Sequence, residues 1–271
     1  MDFNITDEIE MEATGTFRNT LRRADIVYLI DCTGTMDSSK IGDIPLISAV
    51  KKVLSDLLKF YDDEGFDVKI GLTEFRDQGH IADREKGRAL MKYHEWDGSK
   101  LTSSRKLFKE SLENLEAVGG GPKKESILDA LVTTAEFTNW TEGASRILIL
   151  FTDTLPHSRD IVIKSKNDAI ERLQNANINQ LHLCINQSEH ESYYTDFLHI
   201  RESGSNNEIT QIHDIITRDF TEMTKILKDV HRGSVDRLQK RIAGSRGYND
   251  RLAKVRNKTR SRRRKKPSKQ E

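Results

Sequence analysis

Asp31, Thr33 and Thr35 stand two residues apart in the chain, and a second aspartate, Asp153, stands between Thr152 and Thr154. Carboxylate and hydroxyl oxygens are what a hard divalent cation binds; Mg2+ takes about six of them near ~2.1 Å and keeps some waters. One carboxylate and two hydroxyls on a turn that Gly34 permits form a small oxygen arc. Asp153 can join it through a water, or hold waters by hydrogen bonds. So few protein charges leave the ion electrophilic, with a position open to a carboxylate from outside. The expected chemistry is recognition through Mg2+ or Mn2+, with no catalytic residue and no enzymatic activity.

Such an arc needs two chain segments brought to one edge. Ile26–Ile30 and Ile147–Phe151 are uninterrupted apolar runs, as in strands buried on both faces of a parallel sheet. One ends at Asp31 and the other at Thr152-Asp153. Ligands of open parallel sheets bind at the carboxyl ends of strands, so neighbouring strands here make the two aspartates converge. Cys32–Gly42 reads as a loop. Further strands are expected over Phe66–Phe75, Ala89–Trp96, Ile178–Ile185 and Glu208–Ile212. Apolar spacing predicts helices over Ile44–Tyr61, Leu101–Leu115, Glu125–Phe137, Asp160–Asn175, Glu191–Arg201 and His213–Val230. Gly119–Pro122 is a hard break. Strands alternating with helices predict a doubly wound α/β fold, a mainly parallel, Rossmann-like sheet with helices on both faces.

Asp31-Cys-Thr33-Gly-Thr35-Met36 after an apolar strand resembles the metal-ion-dependent adhesion site of von Willebrand factor A domains. Three more stretches agree in order: Ile70 to Asp77, ending Phe-Arg-Asp; Gly119 to Ser126, with its glycines; and Ile149 to His157, with Asp153 and Pro-His. The likeness runs from about Asp25 to Val230 and is greatest to intracellular types such as the domain attached to alpha-type kinases. It implies a metal-dependent protein-interaction module. Asp31, Thr33 and Thr35 would bind the ion directly and Asp153 through water, and a partner protein's exposed Asp or Glu would fill the open position. The family places a Thr, or in this subgroup an Asp, after the glycines. Here that position is Pro122, which has no ligand atom; Glu125 or Ser126 is the substitute at the start of the next helix.

Other readings compete. A magnesium-assisted phosphohydrolase using Asp31 needs a phosphate-binding cation at the same edge, for which Lys123 and Lys124 are the candidates. The chain ends also differ in charge. Residues 231–271 hold 16 Lys/Arg against 3 Asp/Glu, while the preceding 230 residues hold 28 against 40. Arg260, Arg262, Arg263, Arg264, Lys265 and Lys266 could bind nucleic acid or another anionic surface, or serve as a nuclear address. The expected organisation is an N-terminal arm over 1–23, the α/β domain over 24–230, and a basic, partly disordered extension over 231–271. Two cysteines, Cys32 and Cys184, give no disulfide framework or metal pair. With no apolar leader in Met1–Glu12 and no run of ~20 apolar residues, a cytoplasmic or nuclear location without a transmembrane segment is expected.

Overall fold

The computed structural model describes residues 23–63, 67–77, 91–120, 124–201, 208–215 and 225. The chain divides into two units, Arg23–Val230 and one made of Met1–Arg22 with His231–Glu271; every described residue belongs to the first. In chain order its elements are β1 (Ala24–Asp31), α1 (Thr35–Ser38), β2 (Lys40–Ile41), β3 (Ile44–Pro45), α2 (Leu46–Asp63), β4 (Val68–Phe75) and β5 (Met91–Tyr93). Then come α3 (Arg105–Glu113), β6 (Lys124–Glu125), α4 (Ile127–Phe137), β7 (Ser145–Phe151) and β8 (Leu155–Pro156). α5 (Lys166–Asn175), β9 (Gln180–Ile185), α6 (Gln187–Tyr194), a 3-10 turn (Thr195–His199) and β10 (Thr210–Asp214) complete the set.

The sheet runs β10-β9-β7-β1-β4-β5. Every pairing in it is parallel except that of β5 with β4. From β1 the chain builds outward to β4 and β5, then returns to the other side of β1 to lay down β7, β9 and β10. The direction of growth therefore reverses between β1 and β7, the switch point where open α/β sheets leave a crevice.

Each run of apolar residues divides its side chains between two helical layers, because alternate residues of a strand face opposite ways. Val27, Leu29, Leu148, Leu150, Leu181 and Leu183 pack with Ile127, Leu128, Leu131 and Val132 of α4 and Ala169 and Leu173 of α5. On the opposite face, Tyr28 meets Phe108 of α3 at 5.7 Å between ring centres, and its hydroxyl lies 2.6 Å from that of Tyr61 on α2. The α/β class and helices on both faces are as the periodicity predicts. Cys32 and Cys184 are free and buried.

Several boundaries differ from expectation. The loop after β1 contains the single-turn helix α1. α3 is shorter than predicted because the Ser104 side chain caps it, accepting from the Leu107 amide. Helix α5 starts at Lys166, not Asp160: the Asp129 carboxylate takes the amides of Val162 and Ile163 at 3.0 and 2.7 Å, which holds that stretch in a turn. α6 covers Gln187–Tyr194 rather than Glu191–Arg201, and the chain tightens to 3-10 after it. His213 and Asp214 extend β10 rather than open a helix, and most of the helix predicted up to Val230 lies outside the described residues.

Candidate functional site

The register of the central strands sets the site. Ile30 lies opposite Phe151 in the β1–β7 ladder. The next residues, Asp31 and Thr152, therefore leave the sheet side by side at its carboxyl edge. Thr152 donates its hydroxyl to Asp31 Oδ2 at 2.7 Å, and Asp31 is fully buried. The chain then turns back over β1 through α1. The Thr33 amide and hydroxyl both donate to Asp31 Oδ1, at 2.9 and 2.6 Å.

From there an arc of oxygens crosses to β7. Thr33 Oγ1 lies 3.0 Å from Thr35 Oγ1, and Thr35 donates to Asp153 Oδ1 at 3.0 Å. Ser39 donates to the other Asp153 oxygen. Asp31, Thr33, Thr35 and Asp153 are thus brought together in one hydrogen-bonded chain. A hydroxyl carries a single proton. With both carboxylates ionised, Thr33 spends its proton on Asp31 and Thr35 spends its own on Asp153. The 3.0 Å approach of the two hydroxyl oxygens then has no proton between them. Three contacts share two protons, and a third proton or a cation completes the arc.

Electrostatics point the same way. Burial pushes the Asp31 carboxyl up to about 6; hydrogen bonds from Thr33 and Thr152 oppose that rise and the neighbouring Asp153 charge adds to it. Among the described residues no lysine, arginine or histidine forms an ion pair with Asp31 or Asp153. No cluster of three or more His, Cys, Asp and Glu side chains with metal-binding geometry is found among the described residues either. The donor set here is instead carboxylate and hydroxyl oxygen, which suits Mg2+ or Mn2+. The residues fit such an ion: Asp31, Thr33 and Thr35 would hold it, with Asp153 at one remove.

The glycine loop closes the third side. Gly34 N–H donates to Gly119 O at 2.8 Å and Val118 N–H to Cys32 O at 2.9 Å, which ties this loop to the Asp31–Thr35 turn. Gly120 has φ +86°, and a Cβ there would stand 2.7 Å from Thr33 Cβ and 2.9 Å from Glu125 Oε1. Glu125, fully buried, is therefore a neighbour of Thr33, and Ser126, also buried, is the N-cap residue of α4. Pro122 and Lys123 lie outside the described residues, and Lys124 is exposed on β6. Around the rim, His157 meets Asp77 Oδ1 at 3.1 Å, and His190 Nε2 lies 3.1 Å from the Asp153 carbonyl.

No family model matches the chain, and no curated protein matches it. Among solved structures, the pilus adhesin SpaC from Lactobacillus rhamnosus GG is similar, with a TM-score of 0.56 at 15% identity. The likeness covers 80% of this chain and 31% of the adhesin. At that identity it shows the shared α/β fold.

Sequence reasoning missed Ser39, Thr152 and Thr154 as part of the site. Thr154 Oγ1 lies 3.2 Å from Thr152 Oγ1 on the inner side of Asp31. Hydroxyls two residues apart on either side of Asp153 were the available signal. Arg260, Arg262, Arg263, Arg264, Lys265 and Lys266 lie outside the described residues. Among the described residues no helix is long and apolar enough to cross a membrane.

Proposed function

We propose that this chain is a non-enzymatic, metal-dependent protein-interaction module. Asp31, Thr33 and Thr35 hold Mg2+ or Mn2+ at the carboxyl edge of the sheet, Asp153 steadies it through water, and a partner's Asp or Glu completes the ion's shell. The observation that carries this reading is the oxygen arc from Asp31 to Asp153, with three contacts and two protons. The resemblance of the four motifs to von Willebrand factor A domains supports it, as does the position of the arc at the switch point between β1 and β7. Titration calorimetry with Mg2+ and Mn2+ tests it on the wild type and Asp31→Ala. Heats are expected for the wild type alone, and equal heats from the two proteins sink the proposal.

A second reading places polyanion binding, nucleic acid first, in residues 231–271. Their 16 Lys/Arg against 3 Asp/Glu favour it, since a dense run of cations displaces the counterions of a phosphate backbone. The two readings use different parts of the chain and are compatible.

A further inference from the structure

We infer that Glu125, rather than Ser126, supplies the glycine loop's ligand to the cation, and that this second buried carboxylate loads the site before a partner arrives. The inference rests on the metal-dependent reading above. It starts from the sequence gap at Pro122, where the loop offers no oxygen-bearing side chain.

Three observations bring Glu125 to the arc. Its backbone is pinned to the Asp153 loop: β6 pairs with β8, Glu125 opposite Pro156, and His157 N–H donates to Glu125 O at 3.1 Å. Its side chain is directed at the first loop, because Oε1 and the Thr33 Cβ both crowd the point where a Cβ on Gly120 would stand, at 2.9 and 2.7 Å. Glycine at 120 is thus the spacer that lets a Thr33 ligand and a glutamate approach each other. The carboxylate is also fully buried, as Asp31 is.

A carboxylate buried next to Thr33 loses hydration, as the buried Asp31 does, and a divalent cation stabilises the charged form of both directly. Asp31 and Glu125 together match the charge of one Mg2+ or Mn2+. An ion neutralised by the protein stays bound without an outside carboxylate, so the partner meets a filled site rather than bringing about its filling. Asp153, half-exposed and held by Thr35 and Ser39, is left to position water.

The experiment uses the full chain, Mn2+ alone as the probe, and two readouts: calorimetric affinity, and the rise in melting temperature between EDTA and Mn2+. The wild type is expected to bind Mn2+ with no partner present. Glu125→Gln should bind at least about tenfold more weakly, since even outer groups around a metal change affinity about 10–100-fold. Its melting temperature in EDTA reports on folding alone, and the rise on adding Mn2+ should be smaller than that of the wild type. Ser126→Ala should bind within about twofold of the wild type. Glu125→Asp keeps the charge but shortens the reach, and serves if the glutamine variant does not fold; it too should bind more weakly. Wild-type binding with unchanged affinity in Glu125→Gln, or in Glu125→Asp where that variant stands in, overturns the role of Glu125 and leaves the metal reading standing. A wild type that gives neither heat nor a melting shift overturns both.

Discussion

Thr35 donates its hydroxyl proton to Asp153 across 118 positions of sequence, at 3.0 Å. With the Ser39 bond to the other Asp153 oxygen it ties the β1 loop to the β7 loop, and because Thr35 is also a proposed ligand, its replacement separates fold from function. A half-buried hydroxyl bond contributes about 1 kcal/mol net to stability. Thr35→Ala should therefore cost about that in a urea titration of the metal-free protein, while its Mn2+ affinity drops about tenfold or more. Thr35→Ser keeps the oxygen and should match the wild type in both. An alanine variant that binds Mn2+ as the wild type does would remove Thr35 from the ligand set.

Glu74 gives the domain a stability that acid removes. Its carboxylate, 4% exposed, lies 3.2 Å from Arg76, 3.1 Å from His94 and 2.9 Å from Lys92. Burial pushes its pKa up, but hydrogen bonds from His94 and Lys92 and the charges of Lys92 and Arg76 outweigh it and hold it at about 2, below the ordinary 4.5. A folded pKa below the unfolded one means the unfolded chain binds more protons in between. The contribution is therefore whole above about pH 4.5 and is lost as pH falls toward about 2. At pH 7 Glu74→Gln should be less stable by up to about 3 kcal/mol, at 1.36 kcal/mol per unit. Urea titrations from pH 7 to pH 2.5 should show that gap closing; a gap independent of pH contradicts the assignment.

How much of this was legible in the sequence depends on what fixed each feature. The runs Ile26–Ile30 and Ile147–Phe151 are buried on both faces, so their apolar character announces parallel strands. That Asp31 and Asp153 share an edge follows from strand direction, but their adjacency needed the order β7-β1-β4, which periodicity does not encode. Thr152 and Thr154 could be read as hydroxyls flanking Asp153, but only the fold turns them onto the Asp31 carboxylate; Ser39 gave no signal, because isolated hydroxyls are common in loops. The stretch from Asp160 to Ile163 has helical spacing. It is a turn because the Asp129 carboxylate, 33 and 34 residues away in sequence, accepts the Val162 and Ile163 amides. Local propensity lost there to a tertiary hydrogen bond.

Binding of polyanions by residues 231–271 should show itself through salt. Each phosphate neutralised contributes a slope of about −0.7 to −0.9 to log K against log salt. Replacing Arg260, Arg262, Arg263, Arg264, Lys265 and Lys266 by glutamine removes six of the 16 cations in that segment. Filter binding to single-stranded DNA between about 50 and 200 mM salt should then give a weaker affinity and a shallower slope than the wild type. Parallel lines for the two proteins rule the segment out as the contact. Asp31→Ala should leave these lines where the wild type has them, since the oxygen arc has no part in phosphate contact.

Asp160 should respond to pH with the opposite sign to Glu74. Its Oδ2 accepts the Asp129 amide at 3.0 Å, and Asp129 in turn clamps the Val162–Ile163 turn. Its other oxygen, Oδ1, is buried with no hydrogen-bond partner among the described residues. Burial raises the carboxyl from 3.8 to about 6; the Asp129 charge adds to this, while amide hydrogen bonds and the His157 charge oppose it. The folded protein therefore binds the extra proton between those values. The favourable contribution is whole below about pH 3.8 and is lost as pH rises through about 6. Asn at this position is uncharged at every pH, and its amide oxygen can still accept the Asp129 N–H. Asp160→Asn should be more stable than the wild type at pH 8, by up to about 3 kcal/mol, and the two should converge by pH 3.5. Urea midpoints that differ equally at both pH values, or a variant less stable at pH 8, would mean that the ionised Asp160 carboxylate is compensated in the fold, and that the unpartnered oxygen carries no penalty.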